Sequence, residues 1–90
     1  MKVARKRPRQ PWELIEIENT LEALQAEVGG PLDGFPLAPD AVLVMARKRK
    51  GKPFNFRWGR REFFGTVLIY GIEGDKATDI DPAYLPILPT

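Results

Sequence analysis

The chain reads as an α+β domain: a small, mainly antiparallel sheet, one amphipathic helix packed on it, and a short C-terminal helical turn. Three observations predict it. A helix with start and stop signals lies between Asn19 and Gly29. Two apolar runs of strand length, AVLVMA at 41–46 and TVLIYGI at 66–72, flank a basic and aromatic stretch. An Asp81-Pro82 pair then opens a last helical turn. Ninety residues give one small core near the lower limit of what folds alone. A homo-oligomer is therefore expected, because a second copy adds burial.

Residues 1–11, MKVARKRPRQP, hold two prolines, five cations and little to bury. That composition predicts a flexible basic arm ahead of a single α+β domain over 12–90. Two roles stay open for the arm, a clamp on nucleic acid or a solubilising tail. In WELIEI, Trp12, Leu14 and Glu16 fall on one side of a strand and Glu13, Ile15 and Ile17 on the other. Asn19 is placed to cap a helix, with Glu22 three residues on to close a capping box. Leu21, Leu24 and Val28 recur at helical spacing as its buried stripe, Gly29 suits a left-handed C-cap, and Gly30-Pro31 prevents continuation.

LDGFPL at 32–37 reads as a short, broken strand that Pro36 confines to an edge or a bulge. Pro39-Asp40 turns the chain into the strand Ala41 to Ala46, and residues 47–52 form a solvated turn with Gly51 at its tip. PFNFRWGRR at 53–61 reads as irregular, its aromatics at 54, 56 and 58 alternating against Asn55 and Arg57. Glu62 to Ile72 is β-prone, with Gly65 a bulge or a point of close backbone approach. Gly74-Asp75 makes a turn. Asp81 and Pro82 supply the N-cap and first position of a helical turn through Tyr84 and Leu85, which Pro86 and Pro89 stop.

Composition argues against catalysis. There is no cysteine, histidine or serine, so disulfides, thiolate metal sites and the commonest general base are missing. Glu13, Glu16 and Glu18 are spaced for a strand edge and have no histidine partner, so no metal and no cofactor is expected. No apolar run approaches the roughly 18–20 residues that span a bilayer, and no apolar segment follows the N-terminal charges. The expected setting is cytoplasmic, without a membrane partner.

The net charge of +2 conceals blocks. Residues 1–10 carry five bases and no acid, 11–46 seven acids and no base, and 47–61 eight bases and no acid. Residues 62–90 set five acids against Lys76. The field around 47–61 can reach several kT and suits an anionic partner.

Within that block, Arg57, Trp58, Arg60 and Arg61 form the sharpest constellation. Guanidinium groups grip phosphates in two-pronged fashion, and an indole offers a flat face to a base. Asn55 is suited to a base edge or a ribose hydroxyl, and Thr66 to a further hydrogen bond. Lys48, Arg49, Lys50 and Lys52 are suited to steering phosphates, or are simply a solvated turn. The plainer reading makes Phe54, Phe56, Phe63 and Phe64 core or dimer residues and the arginines a solvated rim.

The segment Ile15 to Gly30, IEIENTLEALQAEVGG, resembles a widespread family of small phage and gut-bacterial proteins known as a domain of unknown function. Its pattern falls here on Leu21, Glu22, Leu24, Gln25, Val28, Gly29 and Gly30, then on Asn55, then on Gly65-Thr66. The likeness covers most of 13–72. RKRKGK stands where that family usually has an acidic or polar turn. The resemblance implies a phage or mobile-element source and brings no reaction. Phages encode many small non-enzymatic proteins that bind nucleotide signals of bacterial immunity or that block a defence protein directly.

The function expected is therefore a non-enzymatic phage anti-defence protein that sequesters a nucleotide-type immune signal, a small anionic ligand, in a basic aromatic pocket. The alternatives are a nucleic-acid-binding accessory protein and a direct protein inhibitor of a host defence factor.

Overall fold

The computed structural model describes residues 1–89. In chain order it contains β1 (Lys2–Lys6), β2 (Glu13–Glu16), α1 (Leu21–Val28), β3 (Leu32–Ala38), β4 (Ala41–Ala46), β5 (Phe54–Trp58), β6 (Arg61–Phe64), β7 (Val67–Glu73), β8 (Lys76–Thr78) and a 3₁₀ helix (Pro82–Ile87). The main sheet runs β2-β1-β7-β4-β3, with β8 paired to the far end of β7, while β5 and β6 form a separate hairpin. Every pairing is antiparallel, as the α+β reading expected.

The basic N-terminal segment is not a loose arm. It becomes β1, paired to β2 on one side and β7 on the other, with Val3 and Ala4 fully buried. Its charges permit this because they find partners in the acidic block. Arg5 Nε donates to Glu13 Oε2 of β2 (3.1 Å), and Arg5 Nη1 to Glu27 Oε2 of α1 (2.9 Å). Hydrogen bonding to Glu13 and Glu27 raises the Arg5 pKa, and the Arg5 bond holds the Glu13 carboxyl below its usual range.

Helix α1 starts one residue later than the capping-box reading. Thr20 Oγ1 accepts from the Ala23 N–H (3.1 Å), while Asn19 Nδ2 donates to the Ala77 carbonyl (3.0 Å) and so ties the helix entry to β8. The stop is as expected: Gly29 lies at φ 83° and its N–H reaches the Gln25 carbonyl. Leu24 and Val28 are buried, but Leu21 stays 56% exposed, so the apolar stripe is narrower than its spacing suggests. The 3₁₀ helix keeps its expected cap, Asp81 Oδ1 accepting from the Ala83 N–H (3.0 Å), and continues through Pro86.

Strand alternation divides the core into two layers. On one face of the sheet, Val3, Val44 and Leu68 pack under Leu24 and Val28 of α1. On the other, Ala4, Leu43 and Ile69 pack under Phe56 and Phe63 of the hairpin and under Ile80 and Leu88. Phe63 is 1% exposed and stacks on Phe56 at 4.8 Å between centroids, so the hairpin is a structural layer. The two edge strands are β2, rich in glutamate, and β3, whose register shifts between Pro36 and Ala38, both of which discourage unwanted pairing.

Candidate functional site

The hairpin positions the site. Trp58 pairs with Arg61, which leaves Gly59 and Arg60 as a two-residue turn with Gly59 at φ 62°, a conformation that favours glycine. Alternation along β6 puts exposed Arg61 on the same face as buried Phe63, with Trp58 opposite Arg61, and puts Glu62 and Phe64 on the other face. A bulge between Phe54 and Phe56 breaks the even alternation read from the sequence. Asn55 and Phe56 both become buried, and Phe54 lies across from Phe64 on the outer face, their rings edge to face at 5.7 Å.

Two hollows border β6 and meet at Arg61. The first, of about 320 Å³, is lined by Arg47, Arg49, Arg60 and Arg61 together with Asp33, Glu62 and Phe64. The second, of about 340 Å³, is apolar and lies between the hairpin and edge strand β3. Its walls are Phe35, Pro36, Leu37, Trp58 and Phe63, with Arg61 at the rim.

Three of the four arginines are held in place by groups other than carboxylates. Arg47 Nη2 donates to the Leu32 carbonyl (3.3 Å). The Arg49 guanidinium lies over the Phe64 ring at 4.8 Å, and that of Arg61 over Phe35 at 4.5 Å. Among the described residues none of the four forms an ion pair, although Arg5, Arg7 and Arg57 each pair with a glutamate. Such flat stacking fixes a guanidinium without using its charge.

The ten residues singled out in the sequence divide by position. Arg60, Arg61 and Arg49 line the first hollow, and Trp58 and Arg61 the second. Arg57 lines neither hollow and donates to Glu62 Oε2 (3.1 Å), the cross-strand carboxylate that forms part of the first hollow's wall. Its neighbours on the chain point inward, so period-2 alternation removes it from their company.

Asn55 is taken up by hydrogen bonds within the fold. Its Nδ2 donates to the carbonyls of Lys6 (2.8 Å) and Gly65 (2.7 Å), and its Oδ1 accepts from Lys6 Nζ (2.9 Å). Those bonds use both its donors, leaving it buried and occupied. Lys6 is itself 5% exposed, and burial lowers its pKa.

Lys52 and Thr66 lie elsewhere, in a third hollow with Pro8, Gly29, Gly51 and Gly65. The Lys52 side chain runs so close over Gly65 that a Cβ there would come within 2.8 Å of its Cδ, and a Cβ at Gly29 within 2.9 Å of its Nζ. The ammonium therefore sits at the C-terminus of α1, whose last turn has no basic residue of its own. A cation there complements the helix dipole. Lys48 and Lys50 are exposed and line none of the three hollows.

Sequence reasoning left Arg47, Asp33, Phe35 and Glu62 out of the site. Arg47 belongs to the basic run and was accessible from charge alone. Phe35 and Asp33 come from β3, and only the lie of the hairpin over that edge brings them close. Among the described residues no group of three or more histidine, cysteine, aspartate or glutamate side chains is arranged to hold a metal, and no helix is long and apolar enough to cross a membrane.

A family model described as Domain of unknown function (DUF3846) matches residues 1–85. The chain belongs to that family. No curated protein and no solved structure matches it. The DUF3846 match begins one residue before β1 and ends in the 3₁₀ helix, so it contains every residue of the two hollows that meet at Arg61. Membership in DUF3846 brings no reaction with it.

Proposed function

We propose that the protein is a non-enzymatic binder that captures a nucleotide-type anion, phosphate in the arginine hollow and base in the apolar hollow beside it. The observation that carries this reading is four arginines around one hollow without ion-pair partners, three of them fixed by a ring or a carbonyl. Gathering like charges is unfavourable, and an anion that bridges them relieves the repulsion. The adjoining wall of Trp58 and Phe35 suits a planar ring at the distance of one guanidinium. Asn55, Arg57, Lys52 and Thr66 take no part in this version of the site.

The biological use we propose is that of a phage anti-defence protein that sequesters a nucleotide immune signal as a homo-oligomer in the bacterial cytoplasm. Its support is the sequence resemblance together with the chemistry of the hollows. Incubation with mono- and cyclic nucleotides and ADP-ribose derivatives, followed by heat release and mass analysis, tests the capture. Recovery of an intact ligand, with a loss of tenfold or more in affinity in Arg61→Ala, is expected. A panel from which nothing is recovered refutes the reading.

A second reading is favoured by one observation. Pro8, in the turn after β1, shares the third hollow with Gly51 and Lys52, so the two basic stretches meet at one end of the molecule. That arrangement suits a nucleic-acid backbone. It predicts affinity for generic DNA or RNA that falls steeply with salt and is spread over many cations.

A further inference from the structure

The arginine hollow has aromatic surface at both ends. At one end Arg61 joins it to the apolar hollow of Trp58, Phe35 and Phe63. At the other, Phe64 forms part of its wall and continues into Phe54, which lies on the outer face of the hairpin and is 50% exposed. Arg49 lies over Phe64 as Arg61 lies over Phe35, so each end of the trough repeats the same unit: a guanidinium flat on a phenylalanine, with further aromatic surface beyond it.

Size and charge narrow the occupant. Each hollow is at the bottom of the roughly 300–1,000 Å³ range of small-molecule sites, so each holds a fragment and not a whole large ligand. Four guanidinium groups line the trough with two carboxylates, Asp33 and Glu62, of which Glu62 is already paired with Arg57. With Asp33 alone left to offset them, the trough suits a ligand with no more than about three negative charges, fewer than the crowded charge of a triphosphate. A phosphodiester bears one negative charge, so two of them fit.

We infer that the ligand class is a dinucleotide: one base in the Trp58 hollow, phosphodiesters along the arginine trough, and the second base on the Phe54–Phe64 surface. The inference rests on the nucleotide reading of the same trough and adds a second base station to it. The Arg49 guanidinium then stands beside the second base as Arg61 stands beside the first. Asp33 and Glu62 accept hydrogen bonds from ribose hydroxyls between the bases.

Calorimetric titration of the full chain with cyclic di-AMP, cyclic di-GMP, AMP and GMP tests this, with wild type, Phe54→Ala and Arg61→Ala compared. Phe54 is exposed, so its truncation leaves the core intact, and circular dichroism checks that. The wild type should bind a dinucleotide at least tenfold more tightly than the matching mononucleotide, and Phe54→Ala should reduce that ratio about tenfold, the scale of one lost base stack. A mononucleotide bound as tightly as its dinucleotide, or a ratio unmoved by Phe54→Ala, overturns the dinucleotide inference and leaves nucleotide capture standing. If the wild type binds none of the four, the dinucleotide inference falls, and nucleotide capture then falls only if the wider panel also yields no ligand.

Discussion

The two faces of the sheet treat arginine in opposite ways. On the helix side, Arg5 is answered by Glu13 and Glu27, and Arg7 by the same Glu13. On the hairpin side Arg57 has Glu62, but Arg47, Arg49, Arg60 and Arg61 border one hollow with no carboxylate within ion-pairing distance among the described residues. The first group is committed to joining β1, β2 and α1. The second is oriented by rings and a carbonyl, and its charge remains available. The contrast teaches that a charge block in the sequence does not have one meaning: what matters is whether the opposite block folds against it.

The sharpest way to break the contrast is at the root of the hairpin. Asn55→Ala removes three hydrogen bonds and leaves the Lys6 ammonium and two carbonyls without those partners, so it should cost about 3 kcal/mol of stability, read by urea unfolding. A loss within about 0.5 kcal/mol would mean that Asn55 is free for a ligand after all. Next in size is a matched pair of truncations. Arg5→Ala should cost about 1 kcal/mol, because it opens a partly buried ion network. Arg49→Ala should change stability by less than about 0.5 kcal/mol while weakening anion binding. Equal effects on stability would erase the difference between the faces.

The smallest effect is with pH. The Glu13 carboxyl is held low by Arg5 and then by Arg7, so its contribution is present above its unfolded pKa and is lost as pH falls through the lower folded value. Thermal melts of wild type and Glu13→Gln should therefore differ near neutrality and converge in acid. Curves that stay parallel down to acid would remove the pairing from the account.

Much of the fold was legible. Ala41 to Ala46, Gly29 at the helix stop, Pro36 at an irregular edge and Asp81 at the last cap were all readable, because each rests on chemistry confined to a few neighbouring residues. β1 was hidden for the opposite reason. Five cations in ten residues masked Val3 and Ala4, and only partners from 13 and 27 make that strand tolerable. Asn19 and Thr20 are adjacent and both able to cap, so the choice between them depended on the distant Ala77 carbonyl. The site was half visible: composition pointed to Trp58, Arg60 and Arg61, but one bulged residue reversed Phe54 and buried Asn55. No spacing rule could place Phe35 under Arg61.

Asn55 binds the last residue of β1 and the junction between β6 and β7 with one side chain, so the hairpin is latched at its root. The opposite end, at Gly59 and Arg60, has no such fastening among the described hydrogen bonds. That tip is held by packing instead, with Trp58 against the core and Arg61 over Phe35, so the trough's far wall depends on a single guanidinium stack.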